Sequence, residues 1–327
     1  IMLATPGKNY LITDSRYTEQ ANQEICDCEI IIQDIKEEDA QTKSLCRLID
    51  DLKIDNLGFE SEALQVNLYL KYQNIKPKIK LQPFQNIIEE MRIVKDADEI
   101  EMLEKSAKIA THSFTQTMNL LKSGVTELSI AAYLNYNMRK NGAQKEAFDI
   151  IVTSGERATL IHGNPTDKKI NENELIIMDF GCIFAMYHSD CTRSLLLGNP
   201  NKKQKKIFDI TKETQIETLL QVKAGKKCSE LDNYARKMIE KRGYGDYFSH
   251  SLGHGVGLDI HELPRLSPHD QTILQPGMVI TIEPGIYVPE VGGVRIEDTV
   301  VVTENGCHIL TNLPKGISLF DYTKDIA

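Results

Sequence analysis

The chain is short of positive charge: its 327 residues carry 38 Lys and Arg against 47 Asp and Glu, a formal net charge of −9. A general nucleic-acid binder shows a basic face, so that class is set aside. The acids are spread along the chain and make no acidic tail. No apolar run approaches the roughly 20 residues of a membrane-spanning helix. The chain begins with Ile, not Met, and a few native residues are expected ahead of it. Its first residues lack the basic, then apolar, then small-residue order of a signal peptide. The seven cysteines (Cys26, Cys28, Cys46, Cys182, Cys191, Cys228 and Cys307) contain no C-x-x-C pair. That favours reduced thiols in a cytoplasmic protein over a disulfide framework, and leaves no thiolate set for structural zinc. Most of them read as small buried hydrophobes.

What the chain does have is a repeat. Residues 94–124 read as a long helix that starts on a capping-box pair, Asp96 and Glu99. Ile100, Leu103, Ala107, Ala110, Phe114 and Leu121 fall on one face of it. "TELSIAAYLNYNMRKNG" is a second helix, with Gly142 as its C-terminal stop. Three short apolar runs follow, "FDIIVTSG", "ELIIMDFG" and "TRSLLLG", and read as strands. About a hundred residues later the order returns. "IFDITKETQIETLLQVKAG" and "CSELDNYARKMIEKRG" are helices, the latter stopped by Gly243, and "GMVITIEPG" and "RIEDTVVVT" are strands. The predicted architecture is α+β, with two halves of one plan related by a pseudo-twofold axis.

The polar residues of these strands line up across the repeat. Asp179 corresponds to Glu283, Asp190 to Glu297, and His162 to His261, while the position matching His254 falls near Thr153. An acid alone in an apolar strand is ordinarily a strand end in water. Four acids at matching positions of alternating strands require another account. Ionised carboxylates are costly to bury unless paired or bound to metal, and converging ones raise each other's pKa. Two divalent cations would cancel the four charges. Oxygen-rich ligands with one imidazole suit Mn²⁺, with Co²⁺, Fe²⁺ or Zn²⁺ as alternatives. Such a pair of ions clamps a hydroxide and supplies a nucleophile without serine or cysteine.

Together, "HG" at 162, "MDFG", "YHSDCTR", "GHGVGLDIHELP", "TIEPGIY" and "GVRIED" resemble the pita-bread metallopeptidases, most nearly the proline-specific ones, Xaa-Pro aminopeptidase and Xaa-Pro dipeptidase. "YLITDSRYTEQA" resembles the N-terminal domain of that family, and the likeness spans nearly the whole chain. The resemblance implies a creatinase-like α/β domain over residues 1–88 and a pita-bread catalytic domain over 89–327. It implies Asp179, Asp190, His254, Glu283 and Glu297 as ligands of two metal ions, with Asp190 and Glu297 bridging. His162 and His261 would flank the scissile peptide, and Glu283 would double as proton shuttle. Arg295 resembles an arginine that supports the ligands or binds a carboxylate, and Tyr287 and His250 match pocket positions. The implied partners are small peptides with proline second, and the implied assembly is a homodimer.

The leading expectation is therefore an Xaa-Pro aminopeptidase, with Xaa-Pro dipeptidase as the alternative. Weaker alternatives are a methionine aminopeptidase, a metal-free creatine-type hydrolase and a non-catalytic binding module of the same fold. Within the first domain, "NYLIT" and "NLGFE" read as strands, residues 39–52 and 61–75 as helices, and "KPKIKLQPF" as a connector.

Overall fold

The computed structural model describes residues 1–323. The chain divides into two compact units, Ile1–Ile87 and the remainder from Ile88. Among the described residues no helix is long and apolar enough to cross a membrane.

In the first unit, Asn9–Asp14 is the middle strand of a three-stranded sheet, antiparallel to Met2–Ala4 and parallel to Cys28–Gln33. Helix Ala40–Asp51 buries Leu45, Leu48 and Ile49, an i, i+3, i+4 stripe, on Tyr10, Ile12 and Tyr72. Asn56–Glu60 pairs in parallel with Lys80–Phe84. That second strand corrects the reading of "KPKIKLQPF" as a connector. Ile79 and Leu81 alternate with lysine and glutamine and pack on the core, and Pro83, which has no N–H, is tolerated in a strand with a single partner.

The second unit is built as the repeat predicts. Helix Ala97–Met118 starts on a complete capping box, with Asp96 accepting from the Glu99 N–H and Glu99 from the Asp96 N–H, each at 2.9 Å. Helix Glu127–Lys140 follows it, and helices Lys202–Leu219 and Cys228–Lys241 repeat the pair. Gly142 and Gly243, at φ +106° and +83°, take the left-handed conformation just past the second helix of each half. The first half has an antiparallel sheet with Leu175–Phe180 between Ile151–Ser154 and Cys191–Leu196. The second half sets Val279–Ile282 between Gly253–Gly255 and Asp298–Val302, and adds Glu262–Leu266 and Cys307–Ile309 outside them.

Each sheet is covered by its helices. Phe114 stacks on Phe180 at 4.9 Å between centroids in the first half, and Leu219, Leu231 and Ala235 pack on Ile280 and Val300 in the second. With apolar residues buried this way, the strand ends where acids interrupt the runs are left to face one another. Register makes the likeness of the halves specific. Thr153 pairs with Ile177, two residues before Asp179. His254 donates its N–H to Thr281, two residues before Glu283. The position matching His254 in the first half is therefore Thr153.

Candidate active site

Asp179 lies near the end of strand Leu175–Phe180, and Asp190 stands just ahead of Cys191–Leu196. Glu283 directly follows Val279–Ile282, and Glu297 directly precedes Asp298–Val302. Antiparallel pairing places each acid at the same end of its sheet as its neighbour. His254 occupies the middle of a three-residue strand whose register slips between His254 and Gly255. Such a bulge re-aims a side chain. The glycines on either side are required by close approach: a Cβ on Gly253 would collide with the Thr281 carbonyl oxygen, and one on Gly255 with that of Leu263.

Ligand atoms of Asp190, His254 and Glu297 all lie within 4.8 Å of one another. His254 Nε2 is 3.4 Å from Asp190 Oδ2 and 3.5 Å from Glu283 Oε1. Its Nδ1 lies 3.0 Å from the Gly255 carbonyl oxygen, which only an N–H can approach as a donor. That bond assigns a proton to Nδ1 and turns Nε2 toward the acids. Thr192 donates its hydroxyl to Glu297 Oε2 at 2.7 Å, and Thr281 donates to Glu283 Oε1 at 3.2 Å. Burial pushes the Asp190, Glu283 and Glu297 carboxyls above the usual carboxylate range, and the neighbouring acids push Asp190 and Glu297 further.

The residues present fit a cation. Asp179 Oδ1 and Glu297 Oε1 are buried without any hydrogen-bond partner, although buried polar atoms are ordinarily satisfied. Carboxylate oxygens with one imidazole nitrogen are a donor set for a divalent ion of the harder kind.

Arg295 supplies a fixed counter-charge. Only 2% exposed, it reaches Asp179 Oδ2 with Nη2 at 2.6 Å, the Tyr287 hydroxyl and Ile161 carbonyl with Nη1 at 2.9 and 3.2 Å, and Thr192 Oγ1 with Nε at 3.1 Å. Its donors are thus directed mainly into the protein. The Tyr287 hydroxyl in turn lies 3.0 Å from His250 Nε2, and His250 Nδ1 lies 2.8 Å from the Ser251 carbonyl. Burial, then the Arg295 charge, lowers the His250 pKa to about 3. The imidazole is neutral, with its proton on Nδ1 and the tyrosine donating to Nε2.

His261 meets His254 edge to face, with ring centroids 4.4 Å apart. Desolvation, then the fields of His254, His162 and Arg265, lowers its pKa to about 4. His162 is exposed, next to the Ile161 carbonyl that Arg295 holds. The sequence-predicted residues therefore form one neighbourhood: five candidate ligands, and a rim of His162, His250, His261, Tyr287 and Arg295.

The stretch that carries these residues matches a named family. Residues 101–304 match the model of metallopeptidase family M24, and residues 1–94 match the Creatinase/Prolidase N-terminal domain. The chain belongs to metallopeptidase family M24. A Xaa-Pro dipeptidase of Pyrococcus furiosus is 46% identical over 257 residues, covering 77% of this chain and 74% of that protein. Two solved structures superpose closely. The Xaa-Pro dipeptidase of Bacillus anthracis has a TM-score of 0.92 at 37% identity, covering 97% of this chain and 88% of that one. The X-Pro aminopeptidase of Thermotoga maritima has a TM-score of 0.90 at 39% identity, covering 97% and 89%.

The supports of this site escape sequence reasoning. Three buried carboxylates outside the cluster each hold a loop that carries a rim histidine. Glu127 accepts from Ser154, Arg157 and Thr166 around the His162 loop. Asp232 accepts from the Leu252 N–H at 3.0 Å and pairs with Arg236, which donates to the His250 carbonyl at 3.0 Å. Glu262 pairs with Lys95 beside His261. Arg193, fully buried, donates to the Glu297 carbonyl, to Asp298 Oδ1 at 2.7 Å and to the Thr311 and Leu313 carbonyls. It fixes the strand on which Glu297 stands. The Asp232–Arg236 spacing of four on a helix was a readable signal; the others join residues far apart in the chain.

Proposed function

We propose that this chain hydrolyses the peptide bond between an N-terminal residue and a following proline, using Asp179, Asp190, His254, Glu283 and Glu297 to hold two divalent ions, Mn²⁺ first among them. The observation that carries the reading is the pair of unpartnered buried oxygens, Asp179 Oδ1 and Glu297 Oε1, beside the converging ligand atoms of Asp190, His254 and Glu297. When bound, divalent ions supply Lewis acidity toward the scissile carbonyl and a nucleophile formed from water at neutral pH. The chain's own groups do the rest. Arg295 holds Asp179 at a fixed angle, and Thr192 and Thr281 orient Glu297 and Glu283. Glu283 takes the proton released by the attacking water and passes it to the leaving proline nitrogen. His261 and His162 donate hydrogen bonds to the substrate carbonyl as charge develops on it. The neutral His250 and the Tyr287 ring offer an apolar wall for the proline ring. Proline makes a tertiary amide without N–H, so recognition must come from ring shape, as such a wall provides.

Both solved neighbours named above act on Xaa-Pro bonds by their names, one a dipeptidase and one an aminopeptidase. The 46% identical relative favours the dipeptidase, so dipeptides are the preferred substrate in this reading. The Creatinase/Prolidase N-terminal domain weighs against a methionine aminopeptidase. The seven free thiols suit a reducing cytoplasm. The test is the rate on Ala-Pro, Ala-Pro-Ala and Met-Ala with Mn²⁺. Cleavage of Ala-Pro well above both others is expected. Faster cleavage of Ala-Pro-Ala would reassign the chain to the aminopeptidases, and preference for Met-Ala would overturn proline specificity.

A further inference from the structure

The residue after His261 is Glu262, and the surroundings of its carboxylate are unusual for a charged group. Its side chain is 5% exposed, and Oε2 receives Lys95 Nζ at 2.9 Å from a lysine side chain 1% exposed. The other oxygen accepts the Asp259 N–H at 3.1 Å, closing the turn that carries His261, and Arg92 Nε stands 3.7 Å away. Arg92 also holds Asp259 Oδ2 at 2.7 Å. The root of the lysine is itself fixed: its N–H donates to the Gly277 carbonyl at 3.0 Å, and Val94 bridges Met278. Gly257 passes so near that a Cβ there would collide with the Glu262 carboxylate. The His261 turn is thus gripped from one side by strand pairing with Gly255 and from the other by two cations. Lys95 lies between the two stretches that match family models, 1–94 and 101–304, and belongs to neither.

A buried ion pair adds little net stability relative to a well-packed apolar pair, but it demands strict geometry. Reaction rates are sensitive to such geometry, because a misplacement of about 1 Å costs on the order of a hundredfold. We propose that the buried Lys95–Glu262 ion pair is the device that positions His261, setting the distance and angle at which its imidazole meets the substrate carbonyl. Lys95 is a positioning residue: it acts through Glu262 and the turn, and touches no substrate. The proposal rests on the role given above to His261.

The test uses the full-length, Mn²⁺-loaded enzyme and three variants, Lys95→Met, Glu262→Gln and the double variant. Lys95→Met is expected to keep wild-type manganese content by elemental analysis. Its kcat on Ala-Pro falls by about tenfold to a hundredfold while KM stays within about twofold. Its melting temperature falls because the buried Glu262 carboxylate keeps only the more distant Arg92 as a counter-charge. The double variant removes both charges and is expected to regain the melting temperature without regaining kcat. Recovery of kcat together with melting temperature in the double variant would overturn the proposal, since a merely structural pair behaves that way. Wild-type kcat in Lys95→Met would overturn it as well. A second readout stands apart from the assigned reaction. The His261 imidazole resonances, recorded with diamagnetic Zn²⁺ in place of Mn²⁺ and identified by their loss in His261→Ala, should shift in the double variant. Unchanged resonances would refute the positioning role even if the wild type proved inactive on proline peptides, whereas that inactivity alone would refute only the functional reading.

Discussion

Replacing Glu297 by glutamine offers the sharpest check on the electrostatic reading of the centre. Glutamine is isosteric, and its carbonyl oxygen can still accept the Thr192 hydroxyl that Glu297 Oε2 receives at 2.7 Å. The change therefore removes one negative charge and little else. Ligand atoms of Asp190 and Glu297 lie within 4.8 Å. Two full charges at that distance repel by about 3.5 kcal/mol at an effective dielectric of about 20. Both carboxyls have raised pKa values and relieve part of the repulsion by holding protons, so only a fraction of it is realised. About half of it, roughly 2 kcal/mol, corresponds to a melting shift of ~4–8 °C in a domain of this size. Metal-free Glu297→Gln should therefore melt higher than metal-free wild type by several degrees. Added Mn²⁺ should reverse the order, because a ligand stabilises by RT ln(1 + [L]/Kd) and the tighter-binding wild type gains more. Differential scanning calorimetry on chelator-treated protein, with and without Mn²⁺, reads both effects. A variant that melts at or below wild type without metal, and gains as much from Mn²⁺, would refute the idea that uncompensated charge dominates this site.

Three further outcomes follow from particular contacts. His261→Ala should keep its manganese by elemental analysis yet lose about 10²–10³ in kcat, the size of effect that removing one donor to a developing oxyanion produces. Arg193→Met should lower stability by about 3–5 kcal/mol in urea denaturation, because Asp298 remains buried with less compensation. His250 is held near pKa 3, far below the 6.5 of a free histidine. Below pH 6.5 the unfolded chain takes up a proton that the folded one refuses. Stability therefore drops as the pH is lowered through that window, by up to about 1.4 kcal/mol per unit. His250→Asn should flatten the acid limb of a melting-temperature profile between pH 6.5 and 4, and an unchanged limb would count against the buried neutral imidazole.

What could be read before any coordinates was what depends on local sequence. The Asp96–Glu99 capping box spans three residues, and both of its hydrogen bonds are present. The stops at Gly142 and Gly243 are single-residue signals, and both adopt positive φ. The acids at 179, 190, 283 and 297 stood out because each breaks an apolar strand, and the repeat multiplied that signal by two. The strand Lys80–Phe84 was misread as a connector because the pairing that makes it a strand comes from Asn56–Glu60, over twenty residues earlier. The supports of the site were hidden for the same reason. Arg193 and Asp298 are 105 residues apart, and Lys95 and Glu262 are 167 apart. No periodicity or spacing rule connects residues that far apart.

That contrast bears on how the centre is held. The four acids push one another apart whenever they are charged, so the cluster cannot be its own scaffold. The converging strand ends must be fixed by contacts that gain nothing from the cluster. Arg193 meets this condition, since its ion pair with Asp298 and its bonds to the 311 and 313 carbonyls lie behind the Glu297 strand. Glu127, Asp232 and Glu262 meet it for the three histidine loops. Each is a carboxylate already satisfied by backbone N–H groups or by a cation, so it does not compete for a metal ion. The division of labour is chemical: acids left short of partners face inward toward a cation, and acids with full complements of partners hold the walls. A site with walls held this way depends less on bound ions for its shape, and preorganisation of that kind lets binding energy be used on the reaction in place of folding the site.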